Sequence, residues 1–382
     1  MRTQSRRHGI LVLENHFEMG GSEKKLFDFM ERIDASRFAL KVCCLKEGGH
    51  FKPALERMGI PFYEHLLRHR FDALAYRRLA RIIRAEDVRL VYTFGHPNTV
   101  LFSSFARRTG RIERLVISYH AMGSTRGGRL APAWLRPFIL GADALLAVSE
   151  THRRYLCEVE RLPAARIEVI HNGVDLERYH PATPDERASA RRALGLSERD
   201  VVFAAVASLK PIKRIDLLLE AIAPVMRARD DVRLVVAGDG PDRGALERQA
   251  AALGVDGRVS FLGVRDDVAE VLRASDAAVL SSRMEAFPNA VLEAMAAGLP
   301  LVSTDVGSVR EMVVPEESAL LVPPEEAETL RAAIERLATH ADTRARLGRR
   351  GRAIVEERFG LERMCAARED LFTRLLDERG AA

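Results

Sequence analysis

The 382-residue chain has few of the residues that build disulfide frameworks or metal centres. Its four cysteines, Cys43, Cys44, Cys157 and Cys365, show neither the spacing of a metal site nor that of a disulfide pattern. No segment has the unbroken apolar run of a membrane-spanning helix. The basic start, Met1–Gly9, precedes an apolar run that is too short for a signal peptide and has no cleavage site. We therefore expect a cytoplasmic protein in a reducing compartment.

Aromatic residues are also scarce, at 6%, and no nucleic-acid-binding motif is present, so we expect no nucleic-acid partner. Charge is unevenly distributed, because residues 1–180 hold 30 Lys and Arg against 20 Asp and Glu, whereas the remainder holds 29 against 34. A basic amino-terminal half indicates an anionic ligand or surface. An anionic membrane surface fits this better than nucleic acid does, and predicts a peripheral protein on the inner membrane face. The segment Arg77–Arg84, with arginines on one helical face, favours the solvated face of a core helix over a membrane patch.

What the chain does contain is a regular alternation of apolar runs and segments with helical periodicity. Such alternation predicts an α/β protein with doubly wound parallel sheets. The length favours two domains, and the prolines of His180–Pro184 mark the linker between them. The runs that predict buried strands are Ile10–Leu13, Phe38–Cys44, Ile60–Tyr63, Leu90–Phe94, Leu115–Ser118, Ala144–Val148, Ile167–Ile170, Val201–Val206, Leu234–Ala237, Val259–Val264, Ala277–Leu280 and Leu301–Thr304.

The most informative stretch is SSRMEAFPNAVLEAMAAGLP at residues 281–300. It follows the apolar run Ala277–Leu280, and Pro288 suits the first position of a helix that Gly298 and Pro300 would end. The amino terminus of this helix therefore faces the carboxyl end of a sheet, where open α/β sheets bind ligands. Its free N–H groups and dipole favour a phosphate at that place.

Two carboxylates flank this predicted anion site. Glu285 lies in the loop before the helix, and Glu293 lies in its second turn with a side chain that leans back toward the amino terminus. A carboxylate can accept hydrogen bonds from the vicinal hydroxyls of a ribose, and a second one can hold a sugar hydroxyl or stabilise positive charge at a reacting carbon. A solvated loop residue and a helix-surface residue are the alternative, but the strand, loop and Pro-started helix together favour a ligand site.

The spacing Glu285-x7-Glu293 followed by AMAAGLP at residues 294–300 resembles the signature of glycosyltransferase family 4, which comprises retaining, nucleotide-sugar-dependent enzymes of the GT-B fold. The resemblance implies that Glu285 lies by the donor sugar and that Glu293 binds the ribose. Ala286 stands where most members have glycine, a small change that we expect still allows close backbone approach. The residues whose backbone would hold the diphosphate are Ala286, Phe287, Pro288, Asn289 and Ala290.

Three features of the first half match the same family. Gly20 and Gly21 form a loop where backbone can approach a ligand, with Ser22 as the expected N-cap of a helix from Glu23. They match the Gly-Gly-x-Glu motif, which lies near the diphosphate and the acceptor in family members. His120 ends the fifth strand, and the resemblance implies a contact with the donor sugar. Arg126 and Arg129 lie in a glycine-rich loop that we expect to close over the acceptor.

In the second half, the loop after Val201–Val206 contains a lysine at the position where family members have a basic side chain that contacts the diphosphate. Lys213 matches this position, but Ser208 stands where members carry an arginine that shares the task. Lys213 acts as a point charge on phosphate, and either Lys210 or Arg214 would supply the second charge.

The resemblance also bears on the nucleobase and on metal use. It places the nucleobase near Val264. No Asp-x-Asp pair is present, so neither a metal on the diphosphate nor any other cofactor is indicated, and the nucleoside-diphosphate sugar is a co-substrate.

We therefore predict a GT-B glycosyltransferase with two Rossmann-like doubly wound domains facing each other across a cleft. Residues 1–180 form the acceptor-side domain, residues 181–358 bind the donor, and a helix at about 359–382 packs back onto the first domain. The acceptor is a glycan or lipid-linked molecule of cell-surface polysaccharide or glycolipid synthesis. One alternative is a non-catalytic nucleotide-sugar-binding partner subunit or sensor, which rests on Ser208. A same-fold epimerase or phosphorylase would need different anchors.

Overall fold

The computed structural model describes residues 7–17, 20–69, 72, 74–123 and 130–377. The chain divides into two compact units. The first unit consists of Met1–Gly173 with Leu361–Ala382, and the second of Val174–Gly360. None of the helices in the described ranges is long and apolar enough to cross a membrane.

In the first unit, the described residues form a seven-stranded parallel sheet in the order β3-β2-β1-β4-β5-β6-β7. The strands are β1 His8–Glu14, β2 Phe38–Cys44, β3 Phe62–Tyr63, β4 Val88–Phe94, β5 Arg114–Ser118, β6 Ala144–Ala147 and β7 Ile167–Val169. The helices are α1 Gly21–Arg32, α2 Lys52–Arg57, α3 Ala75–Ala85, α4 Pro97–Arg108, α5 Arg136–Ile139, α6 Glu150–Glu158 and, at the end of the chain, α15 Leu361–Asp377.

Both faces of this sheet are buried, which explains why its strands are continuous apolar runs. Successive side chains of a strand point to opposite faces, so Ile10 and Val12 of β1 lie in one core and Leu11 and Leu13 in another. The first core includes side chains of α1 and α15, such as that of Phe372. The last helix of the chain is therefore an integral part of the first unit.

In the second unit, six strands form a parallel sheet in the order β10-β9-β8-β11-β12-β13. The strands are β8 Val201–Val206, β9 Val232–Ala237, β10 Val259–Gly263, β11 Ala277–Leu280, β12 Leu301–Thr304 and β13 Ala319–Val322. The helices are α7 Pro184–Ala193, α8 Ile215–Ala228, α9 Arg243–Ala252, α10 Val268–Arg273, α11 Asn289–Ala296, α12 Val309–Met312, α13 Ala327–Thr339 and α14 Ala341–Arg358.

Each sheet is doubly wound, as the alternation of strands and helices predicted. The chain enters near the middle of the sheet, adds strands on one side and then continues on the other, so that β1 lies between β2 and β4, and β8 between β9 and β11. The carboxyl ends of β1 and β4, and those of β8 and β11, are therefore the topological switch points at which such sheets form a ligand-binding crevice.

The boundary between the units differs from the predicted break at 180/181. Residues from Val174 onward belong to the second unit. The amide of Val174 donates to the carbonyl of Phe359 at 2.9 Å, and the guanidinium of Arg273 donates to the carbonyl of Arg178 at 3.1 Å. These bonds fix residues 174–180 to the second unit before the proline-rich segment is reached. The later break falls at Gly360/Leu361, two residues beyond the predicted position.

Candidate functional site

The switch point of the second unit brings together the two loops that the sequence analysis singled out. The loop after β8 leads through a 3₁₀ turn, Pro211–Lys213, into α8, and the loop after β11 leads into α11. Because β8 and β11 are neighbours in a parallel sheet, both loops emerge at the same edge. Lys213 and Glu285, which are far apart in sequence, therefore meet there.

Lys213 and Glu285 form a direct ion pair. The Lys213 Nζ donates to Glu285 Oε1 at 2.6 Å, and the hydroxyl of Ser282 donates to the same oxygen at 2.6 Å. Their side chains are only 23% and 10% exposed, so the pair is partly shielded from water. Charge-assisted hydrogen bonds are stronger and shorter than neutral ones, and two donors on one oxygen fix the direction of the carboxylate.

Backbone contacts between the two loops hold this pair in register. The hydroxyl of Ser281 donates to the carbonyl of Lys213 at 2.9 Å, and the amide of Arg283 donates to the carbonyl of Ile212 at 2.8 Å. The cation therefore sits on a segment anchored to the loop that carries its carboxylate partner.

A third loop, after β12, supports the Glu285 segment from the other side. Thr304 donates its hydroxyl to the carbonyl of Ser282 at 2.7 Å, and Ser308 donates to that of Ala286 at 2.5 Å. Gly307 has a φ of +54°, and a Cβ there would lie 1.7 Å from the carbonyl oxygen of Glu285. The sequence analysis gave no role in the site to Thr304, Gly307 or Ser308, because all three lie beyond the stretch 281–300 that it recognised.

The helix α11 begins one residue later than predicted. Pro288 is its N-cap, with extended angles of φ −72° and ψ 113°, and its carbonyl accepts from the amide of Val291 at 3.1 Å. Asn289 and Ala290 are thus the first helical residues, next to the buried Ala286 and Phe287. Residues 286–290 therefore form a turn that leads into a helix amino terminus, which is the geometry of an anion site.

Glu293 lies in the second turn of α11 and is 8% exposed. The helix is stopped where the sequence predicted, because Gly298 has a φ of +72° and the amide of Leu299 bonds back to the carbonyl of Ala294 at 3.0 Å. Arg352 donates to the carbonyl of Ala296 at 2.6 Å and so caps the carboxyl end. Both ends of this short helix are thus fixed by the second unit.

The structure also addresses which cation stands in for the arginine replaced by Ser208. Arg214 forms a two-nitrogen ion pair with Asp216 and a second ion pair with Glu325, so its charge is already neutralised. Lys210 is exposed, and its ammonium group has no polar partner within the described ranges. Lys210 is therefore the better candidate for the second charge, while Ser208 itself lies in the same loop, between β8 and the 3₁₀ turn.

Val264 follows the end of β10 and is 62% exposed. The amide of Gly238, after β9, donates to the carbonyl of Gly263 at 2.8 Å, and the amide of Leu209, after β8, donates to the carbonyl of Asp239 at 2.9 Å. These bonds join the carboxyl ends of three neighbouring strands. Val264 thus presents an exposed apolar side chain at the same edge of the sheet as Lys213.

The remaining predicted residues belong to the first unit. Gly20 is the N-cap of α1, which begins at Gly21, and not at Glu23 with Ser22 as cap. The helix starts earlier because the carbonyl of Gly20 already accepts from the amide of Lys24 at 2.9 Å. Arg126 and Arg129 lie outside the described residues.

His120 follows β5 and lies against the ring of Phe94, with 4.3 Å between ring centroids. Its Nε2 is 2.8 Å from the hydroxyl of Ser118, whereas its Nδ1 is buried and has no hydrogen-bond partner in the described part of the chain. Burial, and then the positive charge of Arg368, hold the pKa of His120 well below its ordinary value. The imidazole is therefore neutral at neutral pH.

No cluster of three or more His, Cys, Asp or Glu side chains among the described residues is arranged to hold a metal ion. The candidate site is instead built from a lysine, two glutamates and a helix amino terminus. This combination suits a ligand that carries both negative charge and hydroxyl groups.

Two family models match consecutive parts of the chain. Residues 19–178 match the model described as glycosyltransferase family 4, and residues 186–354 match that described as glycosyl transferases group 1. The D-inositol 3-phosphate glycosyltransferase of Salinispora tropica is 30% identical over 87% of this chain and 76% of its own length. The chain belongs to the glycosyltransferases. Other curated relatives with that printed name are matched over 38% to 62% of their own length.

Solved structures confirm the fold of this glycosyltransferase as GT-B with two Rossmann-like domains. Anabaena HepE in complex with UDP-glucose superposes with a TM-score of 0.83 at 24% identity, over 96% of this chain and 99% of that one. A glycosyltransferase from Rickettsia africae superposes with a TM-score of 0.84 at 17% identity, over 97% of this chain and 99% of that one. At these identities the likeness establishes the fold alone.

Proposed function

We propose that this glycosyltransferase transfers a hexosyl group from a nucleoside-diphosphate sugar to a glycan or lipid-linked acceptor, with retention of anomeric configuration, in cell-surface polysaccharide or glycolipid synthesis. The observation that carries this proposal is the Lys213–Glu285 pair at the amino terminus of α11, at the switch point of the second sheet. A cation, an oriented carboxylate and a helix amino terminus meet there on neighbouring loops.

The site matches the chemistry of a nucleoside-diphosphate sugar group by group. The diphosphate would lie on the backbone of residues 286–290 with Lys213 as its counter-charge. Glu293 would accept hydrogen bonds from the ribose hydroxyls, and Val264 would pack on the base. Bringing the diphosphate to Lys213 relieves Glu285 of part of its ion pair, which leaves that carboxylate to face the sugar.

In the transfer itself, the bond between the anomeric carbon and the diphosphate oxygen breaks, and its electron pair leaves with the phosphate. Lys213 and the α11 amides stabilise that departing charge, while Glu285 stabilises the positive charge at the anomeric carbon. The acceptor oxygen forms the new bond and passes its proton to the departing diphosphate oxygen. Retention places the new bond on the face that the diphosphate leaves.

The relatives support the donor class and leave two acceptor chemistries to compare. HepE is described in complex with UDP-glucose, which makes UDP-sugars the first donors to test. The Salinispora tropica relative is named for D-inositol 3-phosphate, a phosphorylated cyclitol. Transfer assays with this compound and with a lipid-linked glycan distinguish the two acceptor classes.

Binding of the donor is tested by thermal unfolding with UDP, GDP, ADP and CMP, with and without EDTA. A ligand that binds only the folded protein raises the melting temperature. We expect one nucleotide to do so equally with and without EDTA, and Glu293→Ala to abolish the shift. Glu328→Ala, at an exposed glutamate of α13, is the matched control. An unchanged shift in Glu293→Ala would contradict the ribose assignment.

A binding protein without catalysis is the competing function, and Ser208 at the arginine position is the observation that favours it. It predicts a nucleotide-induced shift but no transfer from any donor. A lower turnover in Glu285→Gln, together with an unchanged nucleotide-induced rise in melting temperature, would support a catalytic function over binding alone. The anomeric configuration of the product, read by NMR, then tests retention.

We further propose that the first unit docks on an anionic membrane surface, which would make the protein a peripheral protein of the inner membrane face. Arg77, Arg81 and Arg84 share one face of α3, and within the described ranges their exposed guanidinium groups have no polar partner. Next to this helix, Tyr76 packs on Phe105, which is 47% exposed. Basic residues beside exposed apolar ones are typical of membrane-surface contacts, and this neighbourhood is our reason to propose docking where the sequence alone favoured a solvated helix face.

Trp134 makes this docking directly measurable, because it is the sole tryptophan of the chain and is 56% exposed on a segment that packs against α4. Phosphatidylcholine vesicles that contain phosphatidylglycerol are expected to shift its fluorescence to the blue, and pure phosphatidylcholine vesicles are not. Replacing Arg77, Arg81 and Arg84 by serine is expected to abolish the shift. Equal responses to both kinds of vesicle would contradict the proposal.

A further inference from the structure

Two non-glycine residues on loops of the second unit have left-handed backbone angles. Arg214, which follows the 3₁₀ turn and is the N-cap of α8, has a φ of +52° and a ψ of +42°. Glu325, in the loop between β13 and α13, has a φ of +65°. Such angles are unfavourable for a residue with a Cβ, so they persist only where surrounding contacts hold them, and they are concentrated at active sites and ligand clamps.

An ion pair joins these two residues. The guanidinium of Arg214 contacts Glu325 and also binds Asp216, with Nε at 3.0 Å from Oδ1 and Nη2 at 3.0 Å from Oδ2. Arg283, in the loop after β11, donates its Nε to the other carboxylate oxygen of Glu325 at 2.8 Å. Glu325 therefore links the loop after β8 to the loop after β11, which are the two loops that carry Lys213 and its carboxylate partner.

Stability is a poor explanation for this network of charges. The side chains of Arg283 and Glu325 are 58% and 40% exposed, and ion pairs at such exposures contribute little to folding. The side chain of Arg214 is only 16% exposed and lies between two carboxylates. The backbone geometry that the network imposes at Arg214 explains it better.

Arg214 lies between Lys213 and the helix α8. The side chains of Ile215 and Leu218 in α8 belong to the core of the second unit, and the amide of Leu218 donates to the carbonyl of Arg214 at 3.2 Å. The helix is thus fixed by its packing. A return of Arg214 to an ordinary negative φ would therefore displace the turn that carries Lys213, and not the helix.

We propose that Glu325 is a positioning residue, which holds Arg214 in its left-handed conformation and thereby keeps Lys213 in place at the candidate site. The inference rests on the proposed function, in which Lys213 stabilises the departing diphosphate. Glu325 is expected to touch no substrate. Because glycine adopts left-handed angles at no steric cost, Glu325 is expected to be needed only while residue 214 has a side chain.

The first test follows the pair of Lys213 and Glu285 without any ligand. The folded protein is treated with N-hydroxysuccinimide acetate, and the acetylation rate of each lysine is measured by peptide mass spectrometry. In the wild type, we expect Lys213, which is paired and 23% exposed, to react more slowly than the exposed Lys210 of the same loop. In Glu325→Gln, Lys213 is expected to react up to about fivefold faster, which is the effect of losing a partly exposed ion pair, with Lys210 unchanged.

Substitutions at position 214 separate backbone strain from charge. Arg214→Ala and Arg214→Gly remove the same ion pairs, but only alanine retains the cost of a left-handed backbone. We therefore expect Lys213 to react faster in Arg214→Ala, and at the wild-type rate in both Arg214→Gly and the double variant Arg214→Gly/Glu325→Gln.

Glu316→Gln is the matched control. Glu316 also has a positive φ, of +63°, and also pairs with an arginine, Arg336, at 2.7 Å. It precedes β13, so it lies at the amino ends of the parallel strands, whereas the candidate site lies at their carboxyl ends. Its replacement is expected to leave the acetylation of Lys213 unchanged.

Transfer assays then connect this geometry to the reaction. Glu325→Gln is expected to lower kcat about tenfold or more, because a small displacement of a catalytic group is costly, and the double variant is expected to restore it. An unchanged Lys213 acetylation rate or an unchanged kcat in Glu325→Gln would overturn the inference, as would a double variant that behaves like Glu325→Gln. Because acetylation needs no donor, an absence of transfer in every variant, including the wild type, would count against the proposed function alone.

Discussion

The two sheets share one topology but place different chemistry at their switch points. In the second unit, Lys213 and Glu285 are charged, partly exposed and paired with each other. In the first unit, Glu14 at the end of β1 is 1% exposed, and burial raises its pKa well above the ordinary value, while His120 is held neutral. The same backbone architecture thus supports an ionic site in one unit and a neutral hydrogen-bonding site in the other.

This difference indicates a division of labour. A diphosphate is stabilised by a counter-charge and by a helix amino terminus, and under the proposed function Lys213 and α11 of the second unit have these roles. Sugar hydroxyls can also be bound by neutral donors and acceptors in fixed directions, such as a buried protonated carboxyl group and a neutral imidazole. We therefore expect substitutions at the switch point of the second unit to change the kinetics of transfer, and Glu14→Gln in the first unit to change how stability depends on pH.

The largest effect is expected from Lys213→Ala, which removes the proposed counter-charge of the departing diphosphate. Loss of one preorganised group of this kind typically lowers kcat by about 100- to 1000-fold. Steady-state kinetics with the donor identified by thermal unfolding measures it, and Arg331→Ala, at an exposed arginine of α13, is the control. A loss below about tenfold would mean that the second unit does not depend on this charge.

Next is Gly307→Ala, which tests whether the loop after β12 fixes the Glu285 segment. The new Cβ would clash with the carbonyl of Glu285 at a positive φ, so we expect a loss of about 2–4 kcal/mol in the free energy of unfolding. Denaturant unfolding measures it. Gly254 has a positive φ but no atom near the position of an added Cβ, and Gly257 has neither a positive φ nor a nearby atom. Alanine variants at the three positions therefore separate the cost of backbone strain from the cost of the steric clash. Equal stabilities of the Gly307 and Gly254 variants would contradict the clash.

The uncharged state of the Glu14 side chain, at the switch point of the first sheet, is tested by Glu14→Gln. Above the ordinary pKa of 4.5 the unfolded chain loses this proton while the folded chain keeps it, so the wild type loses stability as the pH rises. The Glu14→Gln variant has no carboxyl group to titrate at this position. Its free energy of unfolding minus that of the wild type is therefore expected to grow by up to about 1.4 kcal/mol per pH unit, until the pH reaches the pKa of Glu14 in the folded protein.

Glu113→Gln is the control with the opposite sign. A hydrogen bond from Arg89 lowers the pKa of Glu113, so this carboxylate contributes stability that is lost as the pH falls. The Glu113→Gln variant is therefore expected to be less stable than the wild type at neutral pH. The difference in free energy of unfolding between the two proteins is expected to shrink as the pH is lowered. Parallel pH dependences of the two variants would contradict the assignment of a protonated Glu14.

The smallest effect is expected from Ser282→Ala, which removes one of the two donors to Glu285 and leaves Lys213 in place. A hydrogen bond to a charged group contributes about 1.5–3 kcal/mol, and we expect the lower end, a roughly tenfold lower kcat, because Lys213 still holds the same oxygen. A KM that rises while kcat stays constant would show that Ser282 serves binding only. That result would weaken the view that Glu285 must be oriented for transfer.

The sequence predicted the strands of the second unit well where they are short apolar runs with clear ends. Val201–Val206, Ala277–Leu280 and Leu301–Thr304 are strands β8, β11 and β12 with the same bounds. It did not predict the last strand, Ala319–Val322, because this short apolar run lies beyond the recognised motif, and periodicity alone does not distinguish four apolar residues in a strand from four in a helix. Helix starts were less certain, as Pro288 and Gly20 show, because an N-cap is decided by backbone bonds and not by residue type alone.

The composition and spacing of this chain determined its class by themselves: parallel strands that must be buried on both faces, a helix amino terminus beside two glutamates, and a lysine on a neighbouring loop. Those features are local in sequence. The tertiary structure decided which groups meet, because Lys213 reaches Glu285, Thr304 and Ser308 hold the loop of Glu285, and His120 packs on Phe94 only after distant strands and helices have packed. Strand order sets those distances, and strand order follows from the packing of the whole sheet.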